Sequence, residues 1–314
     1  MDSLKIKGIM VHQYGGPEVL QVETMDRPTP GDKEVLVRVH AAGVLPIEWK
    51  IRQGLFKQMR PTTFPYIPGS AIAGVIEEVG AHVTKFRKGQ EVFGRSSNGA
   101  YAEYIITDVE RLAVKLSGIS FAEAATISGG ATTAWQALFN NGNLHKDQRV
   151  LIHGAAGGVG SFAVQLAAWK GAHVIGTCST ANVERVKSLG AAEVIDYTSN
   201  RFEDFAEGMD LVLDTVGGET LERSYDVVKK GGMLLSIAGQ PSQEKARDLG
   251  IRAEFSNALL TSETMEEIAQ LMAAGSLKAV IGHTYPLHAA SEAQLRSQTG
   301  HGQGRIVLEI QPSL

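Results

Sequence analysis

The sequence predicts an α/β protein in two parts, a β-rich domain and a doubly wound parallel sheet covered by helices. Three observations carry this. Up to about residue 106 the chain runs as short alternating stretches broken by Gly and Pro turns, the texture of a compact β-rich unit. From about residue 121, short apolar runs alternate with helical stretches, which implies a parallel sheet buried on both faces. Within that second region a glycine-rich loop, RVLIHGAAGGVGS at 149–161, joins a strand directly to a helix.

In order, residues 6–12 alternate and stop at Gly15-Gly16-Pro17, and 19–23 is a short strand leading to Pro28-Thr29-Pro30-Gly31. Residues 34–42 (EVLVRVHAA) alternate with period two, as a half-buried strand does. Further strands are expected at 72–79 and 101–106, with Gly89 and Gly99 between them. Residues 121–140 read as one helix, with Ser120 as N-cap and Gly142 just past the end. Strands then follow at 149–153, 173–177, 193–196, 210–213 and 233–237, and helices at 161–170, 181–189 and 219–228. A helix at 262–274 precedes strands at 279–287 and 305–310, which are expected to return to the first domain and make it discontinuous.

Composition narrows the function. A chain of 314 residues suggests two domains at roughly 100–200 residues each. Lys plus Arg is 30 and Asp plus Glu 34, a net charge of -4, which argues against a nucleic-acid surface. Glycine, at 35 residues, is about 11% against a usual ~7%, so tight turns and close backbone approaches are frequent. The single cysteine, Cys178, excludes an intrachain disulfide and a zinc held by several thiolates. Residues 1–11 carry charge and no apolar signal core, and no apolar run reaches the ~20 residues of a membrane span. A cytoplasmic protein without membrane partners is expected.

The glycine loop is the strongest local signal. Gly154, Gly157, Gly158 and Gly160 carry the turn, and Ala155-x-Gly157-x-x-Gly160 matches a relaxed dinucleotide fingerprint that includes Ala155 and Val159. One glycine permits the sharp turn, another admits a diphosphate against the backbone, and the last lets helix and strand pack closely. The helix N-terminus adds unpaired N–H groups and the positive end of its dipole. The competing reading is a tight turn that binds nothing.

The next strand addresses which dinucleotide. NAD sites place Asp or Glu about 20 residues beyond the loop. Here the strand ends Gly176-Thr177-Cys178-Ser179-Thr180-Ala181-Asn182, with no carboxylate before Glu184. Ser179, Thr180, Asn182 and Arg185 offer hydroxyls, an amide and a cation to a 2′-phosphate, which predicts NADPH over NADH. Ser179 and Thr180 have helix capping as an alternative role, and Arg185 a solvated one. Backbone groups near Val216 and Ala238, after the fourth and fifth strands of this sheet, are candidates to hold the nicotinamide carboxamide. Asp214 either acts on the site or caps the next turn.

At this point the chain resembles the zinc-independent quinone oxidoreductase branch of the medium-chain dehydrogenase/reductase superfamily. The resemblance rests on Gly15-Gly16-Pro17-Glu18-Val19-Leu20, on the segment from Ala41 to Gly54, and on Ile67-Pro68-Gly69-Ser70 with Gly74-Val75-Ile76 and Val79-Gly80. It continues through Gly99-Ala100-Tyr101-Ala102-Glu103-Tyr104, Thr133-Ala134-Trp135, the glycine loop and Gly304-Arg305-Ile306-Val307-Leu308. It implies a GroES-like catalytic domain at 1–122 and 280–314, a Rossmann domain at 123–279, and a homodimer. It also implies reduction by NADPH of quinones or of the double bond of α,β-unsaturated carbonyls.

Zinc-dependent relatives carry Cys at the position of Leu45 and His-Glu at Ser70-Ala71, so no metal is expected here. The quinone oxidoreductase branch usually has Asn at Leu45, and often Asp at Glu48 and Ala71, so Leu45 makes the expected substrate pocket more apolar. The family places a Thr near the nicotinamide, at Thr133, and a Tyr near the adenosine ribose, at Tyr197. A helix-interior Thr bonding its own backbone is the alternative for Thr133. Tyr66 and Lys50 are candidate polar groups toward substrate, with packing and solvation as their alternatives. Direct hydride transfer, with the cofactor carrying the difficult step, is the expected chemistry. Two rivals remain open: an enoyl-thioester reductase, and an NADPH-binding regulatory or structural protein.

Overall fold

In the computed structural model, which describes residues 4–257, 261–300 and 302–310, the first part of the chain forms seven strands. They are β1 (Lys5–Met10), β2 (Gln21–Asp26), β3 (Glu34–Val44), β4 (Ala71–Val79), β5 (Glu91–Arg95), β6 (Tyr104–Asp108) and β7 (Leu112–Val114), β5 and β7 being additional to the five expected. β3 is the hub. It pairs antiparallel with β4, where Val37 faces Ile76, and with β6, where Leu36 faces Ile106. Its inward residues Val35, Val37 and Val39 are fully buried with Ile72, Ile76, Val92 and Leu112. Each such side chain contributes about 1.5–3 kcal/mol by leaving water.

The helix expected over 121–140 is broken. Ser120 caps Phe121–Thr126 through a reciprocal bond with Glu123, but Ser128 (ψ 124°) and Gly129 (φ 74°) leave the helical region. The chain resumes at Thr132–Trp135 and continues through Gln136–Asn141 to Gly142. The cause is tertiary: a Cβ on Gly129 would lie 2.9 Å from both methyls of Leu45. Apolar periodicity alone does not register that contact.

The second region forms β8 (Arg149–Ile152), β9 (His173–Cys178), β10 (Glu193–Asp196), β11 (Met209–Asp214), β12 (Val228–Ser236) and β13 (Arg252–Phe255). Every pairing among them is parallel, in the order β10-β9-β8-β11-β12-β13. Helices Gly160–Trp169, Val183–Ser188 and Gly218–Ser224 are among its crossovers. Leu151, Ile175, Val212 and Leu234 form the buried middle of the sheet. β13 was not legible, because Arg252 and Glu254 interrupt its apolar pattern on an edge.

The chain closes with β14 (Ile281–Pro286), helix Ala290–Gln298 and β15 (Arg305–Glu309). β15 pairs antiparallel with β3, Leu308 facing Ala42, and parallel with β14. The first compact unit is Met1–Gly129, Leu260–Gly275 and Ile281–Leu314; the second is Gly130–Leu259 and Ser276–Val280. Helix Ser262–Ala273, expected with the second domain, falls in the first. Its buried face of Met265, Ile268, Ala269 and Met272 packs toward β7. An amphipathic stripe fixes that a helix must be covered, not which sheet covers it.

Candidate active site

The glycine loop is closed by its own backbone. Gly154 turns at φ 65°, Ala155 N–H donates to Thr177 O at 2.9 Å, and Gly157 N–H donates to Gly154 O at 2.9 Å. A Cβ on Gly160 would lie 2.1 Å from Gly154 O, so only glycine fits where the helix starts. Gly157, Gly158 and Val159 are partly exposed at that start, while Ala155 is buried. The first N–H groups of a helix lack intrahelical acceptors, and these carry the positive end of the dipole. A diphosphate fits this cradle.

His153 braces the loop from below. Ser224 Oγ donates to Thr220 O at 2.6 Å and stands 3.1 Å from His153 Nε2. Its hydroxyl proton is thereby used, so His153 Nε2–H is the donor and Nδ1 accepts from Thr177 Oγ1 at 3.1 Å. Burial lowers the imidazole pKa to about 4, which keeps it neutral. Its backbone carbonyl accepts from Thr215 Oγ1 at 2.8 Å.

Asp214 caps the turn beyond β11. Its carboxylate accepts from Val216 N (3.0 Å), Gly217 N (2.9 Å) and Ser236 Oγ (2.7 Å). Ser236 Oγ in turn accepts from Ala238 N at 3.2 Å and Gly239 N at 3.1 Å. The N–H groups of Val216 and Ala238 are therefore engaged internally, which leaves their carbonyls for a ligand. Asp214→Asn is expected to remove about 2 kcal/mol of stability, because an amide nitrogen cannot accept from Gly217 N or Ser236 Oγ. It is also expected to weaken NADPH binding about tenfold by loosening both loops (1.4 kcal/mol per decade). Urea unfolding and calorimetric titration check the two effects; wild-type values in both would remove the bracing role.

At the end of β9, Asn182 Nδ2 donates to Ser179 Oγ at 2.9 Å. Thr180 Oγ1 donates to Asp196 Oδ2 at 2.6 Å. Arg185 is partly exposed on helix Val183–Ser188, and Tyr197 is 53% exposed after β10. Asp196 is the residue that sequence reasoning missed. No carboxylate follows β9 before Glu184 along the chain, whereas this one arrives from the neighbouring strand, paired with Cys178.

In the first unit, Leu45 is buried at the N-cap of helix Pro46–Arg52. Glu48, one turn on, reaches back: Oε2 accepts from Leu45 N at 3.0 Å and from the Tyr101 hydroxyl, and Oε1 from Ser70 N at 3.1 Å. Burial pushes the Glu48 carboxyl up to about 7 against these bonds and the attraction of Arg305. Arg305 is itself buried, its pKa lowered by burial to about 10. Its Nη1 contacts Gly129 O at 3.4 Å, and its Nε and Nη2 have no hydrogen-bond partner among the described residues.

The Tyr66 hydroxyl is buried without a hydrogen-bond partner among the described residues, and burial raises its pKa to about 12. Its ring packs on the core, and its backbone pairs with Val11. Lys50 Nζ lies 5.6 Å over the Trp49 ring. Thr133, in the second unit, is partly exposed on helix Thr132–Trp135. Leu45, Ser70 and Ala71 supply no set of zinc donors, so the residues present do not fit that metal. No cluster of three or more His, Cys, Asp or Glu side chains gathers among the described residues. No helix among them is long and apolar enough to cross a membrane.

Known proteins share this arrangement. The family model for the alcohol dehydrogenase GroES-like domain matches residues 31–128, and that for zinc-binding dehydrogenase matches 189–308. The quinone oxidoreductase of Homo sapiens is 33% identical over 322 residues, covering 96% of this chain and 97% of its own. The structure of the quinone oxidoreductase from Coxiella burnetii superposes with a TM-score of 0.92 at 30% identity, covering 98% of this chain and 100% of that one. The Escherichia coli quinone oxidoreductase complexed with NADPH gives 0.89 at 28% identity, covering 96% and 99%. Likeness along nearly the whole length, in both the glycine-loop unit and the unit built on β3, makes this chain a member of the quinone oxidoreductase branch of the medium-chain dehydrogenase/reductase superfamily, an oxidoreductase acting on a small molecule.

Proposed function

We propose that the chain is an NADPH-dependent, zinc-independent reductase of a quinone or an α,β-unsaturated carbonyl. The observation that carries this is the cradle from Gly154 to Gly160, where a side chain would strike backbone, and where no acceptor among the described residues is given for the N–H groups of Gly158, Val159 and Gly160. The NADPH bound to the Escherichia coli relative supports the choice of coenzyme. Ser179, Asn182 and Arg185 would meet the 2′-phosphate, and Tyr197 would flank the adenosine. The carbonyls of Val216 and Ala238 would take the carboxamide, with Thr133 beside the nicotinamide. When bound, the reduced nicotinamide supplies a hydride.

The protein's part is orientation and electrostatics. Leu45, in place of a polar side chain, favours an apolar acceptor and keeps water from it. Tyr66, with a pKa of about 12, keeps its proton at working pH and would serve as a hydrogen-bond donor rather than a base. The ammonium of Lys50 is the candidate to stabilise negative charge left on the acceptor oxygen before a proton arrives from solvent.

The test follows NADPH oxidation with a benzoquinone, a 2-alkenal and a crotonyl thioester, each with and without EDTA. Turnover of the quinone or the alkenal, indifferent to EDTA, is expected. Turnover of the thioester alone would make the chain an enoyl-thioester reductase. Tight NADPH binding without turnover would make it a binding protein, and loss of activity in EDTA would refute the metal-free mechanism.

A further inference from the structure

Asp196 and Thr180 stand together at the C-terminal ends of neighbouring strands, on the edge of the sheet that carries the glycine loop. The carboxylate accepts from both neighbouring threonines. Thr180 Oγ1 donates to Oδ2 at 2.6 Å, and Thr198 Oγ1 and N donate to Oδ1 at 2.7 and 3.0 Å. The two hydroxyl oxygens lie 2.9 Å apart, and each hydroxyl carries one proton. With both protons directed at Asp196, Thr180 turns only lone pairs outward. Hydrogen bonds from Thr180 and Thr198 also hold the Asp196 pKa below the usual carboxylate range, so its charge is permanent at working pH.

The two coenzymes meet this pair differently. A ribose 2′-hydroxyl is a donor, and both Thr180 Oγ1 and the carboxylate can accept from it. A 2′-phosphate offers oxygens that only accept at its dianionic charge, so it meets lone pairs and a like charge. Ser179 differs: its hydroxyl accepts from Asn182 Nδ2 and keeps its own proton to donate. No ion pair joins Arg185 to Asp196 among the described residues, so the acidic charge is not cancelled there.

We infer that Asp196, acting through Thr180, is a specificity-determining residue that restrains the preference for NADPH and lets NADH compete. The inference rests on the coenzyme reading above, and adds the residue that sets the ratio.

Calorimetric titration of the full chain with NADPH and with NADH tests it without relying on turnover. In wild type the two dissociation constants are expected within about tenfold of each other. Asp196→Asn removes the charge and lets an amide N–H bond Thr180, which frees the hydroxyl proton to point outward. The ratio of NADH to NADPH dissociation constants is expected to rise at least tenfold. Thr180→Val removes the outward lone pairs but keeps the charge, so the ratio is expected to rise as well, by less than in Asp196→Asn. It also keeps the question answerable should Asp196→Asn fail to fold. A rise in both variants, larger for Asp196→Asn, supports the inference. An unchanged ratio in both, or a fall in either, overturns it while leaving the coenzyme reading intact. A wild-type chain that binds neither nucleotide overturns both.

Discussion

Gly160→Val is expected to weaken NADPH binding at least a hundredfold, roughly 3 kcal/mol. The Cβ position at residue 160 is 2.1 Å from Gly154 O, 2.8 Å from Gly154 C and 2.9 Å from Ala155 Cα. All three are backbone atoms, so no side chain can swing aside to make room. The helix must retreat from β8, and the N–H groups proposed to face the diphosphate leave their positions. Gly157→Ala is the graded comparison: its Cβ would lie 3.1 Å from Gly154 O, a contact that a small shift relieves. Calorimetry should therefore rank the losses Gly160→Val far above Gly157→Ala. Circular dichroism shows whether the sheet survives, and native-like affinity in folded Gly160→Val would remove the cradle from the account.

Above about pH 7, where its carboxyl is ionised, Glu48→Ala is expected to cost about 3–5 kcal/mol of unfolding free energy, because it strips a buried cation of its counter-charge. Arg305 would lose the charge that faces it, and Leu45 N, Ser70 N and the Tyr101 hydroxyl would lose their shared acceptor. Urea unfolding measures this; a loss below about 1 kcal/mol would mean that water substitutes for the carboxylate. The same group gives a pH signature. Its carboxyl sits at about 7 when folded against an ordinary 4.5, chiefly through burial. The folded chain therefore holds that proton more tightly than the unfolded one. The Glu48 contribution is complete below about pH 4.5 and is lost as pH rises through about 7, by about 3 kcal/mol. Glu48→Gln, which does not titrate, should flatten that part of the stability curve.

The Rossmann half was largely legible because its signals are local. The strands at 193–196 and within Met209–Asp214 lie where short apolar runs placed them, and Ser120 and Gly142 bound the interrupted helix as their chemistry suggests. The break at Ser128 and Gly129 was not legible, since it answers to Leu45, far away in sequence. Nor was the buried group of Glu48, Tyr101 and Arg305, whose members come from three distant segments. Thr180 was legible as a polar residue just past a strand end, but its proton is committed to Asp196, a partner from the next strand.

The sequence by itself determined the family, the parallel sheet and the glycine turn that opens the helix at Gly160. Each depends on residues close together in the chain, where steric limits on glycine and the period of apolar residues act directly. Tertiary structure alone decided which polar groups remain free to bind. Val216 N and Ala238 N are taken up by Asp214 and Ser236, and a carboxylate is brought beside Thr180. Hydrogen-bond capacity is finite, and whether a donor is already used depends on which strands lie side by side, a fact that no single segment contains.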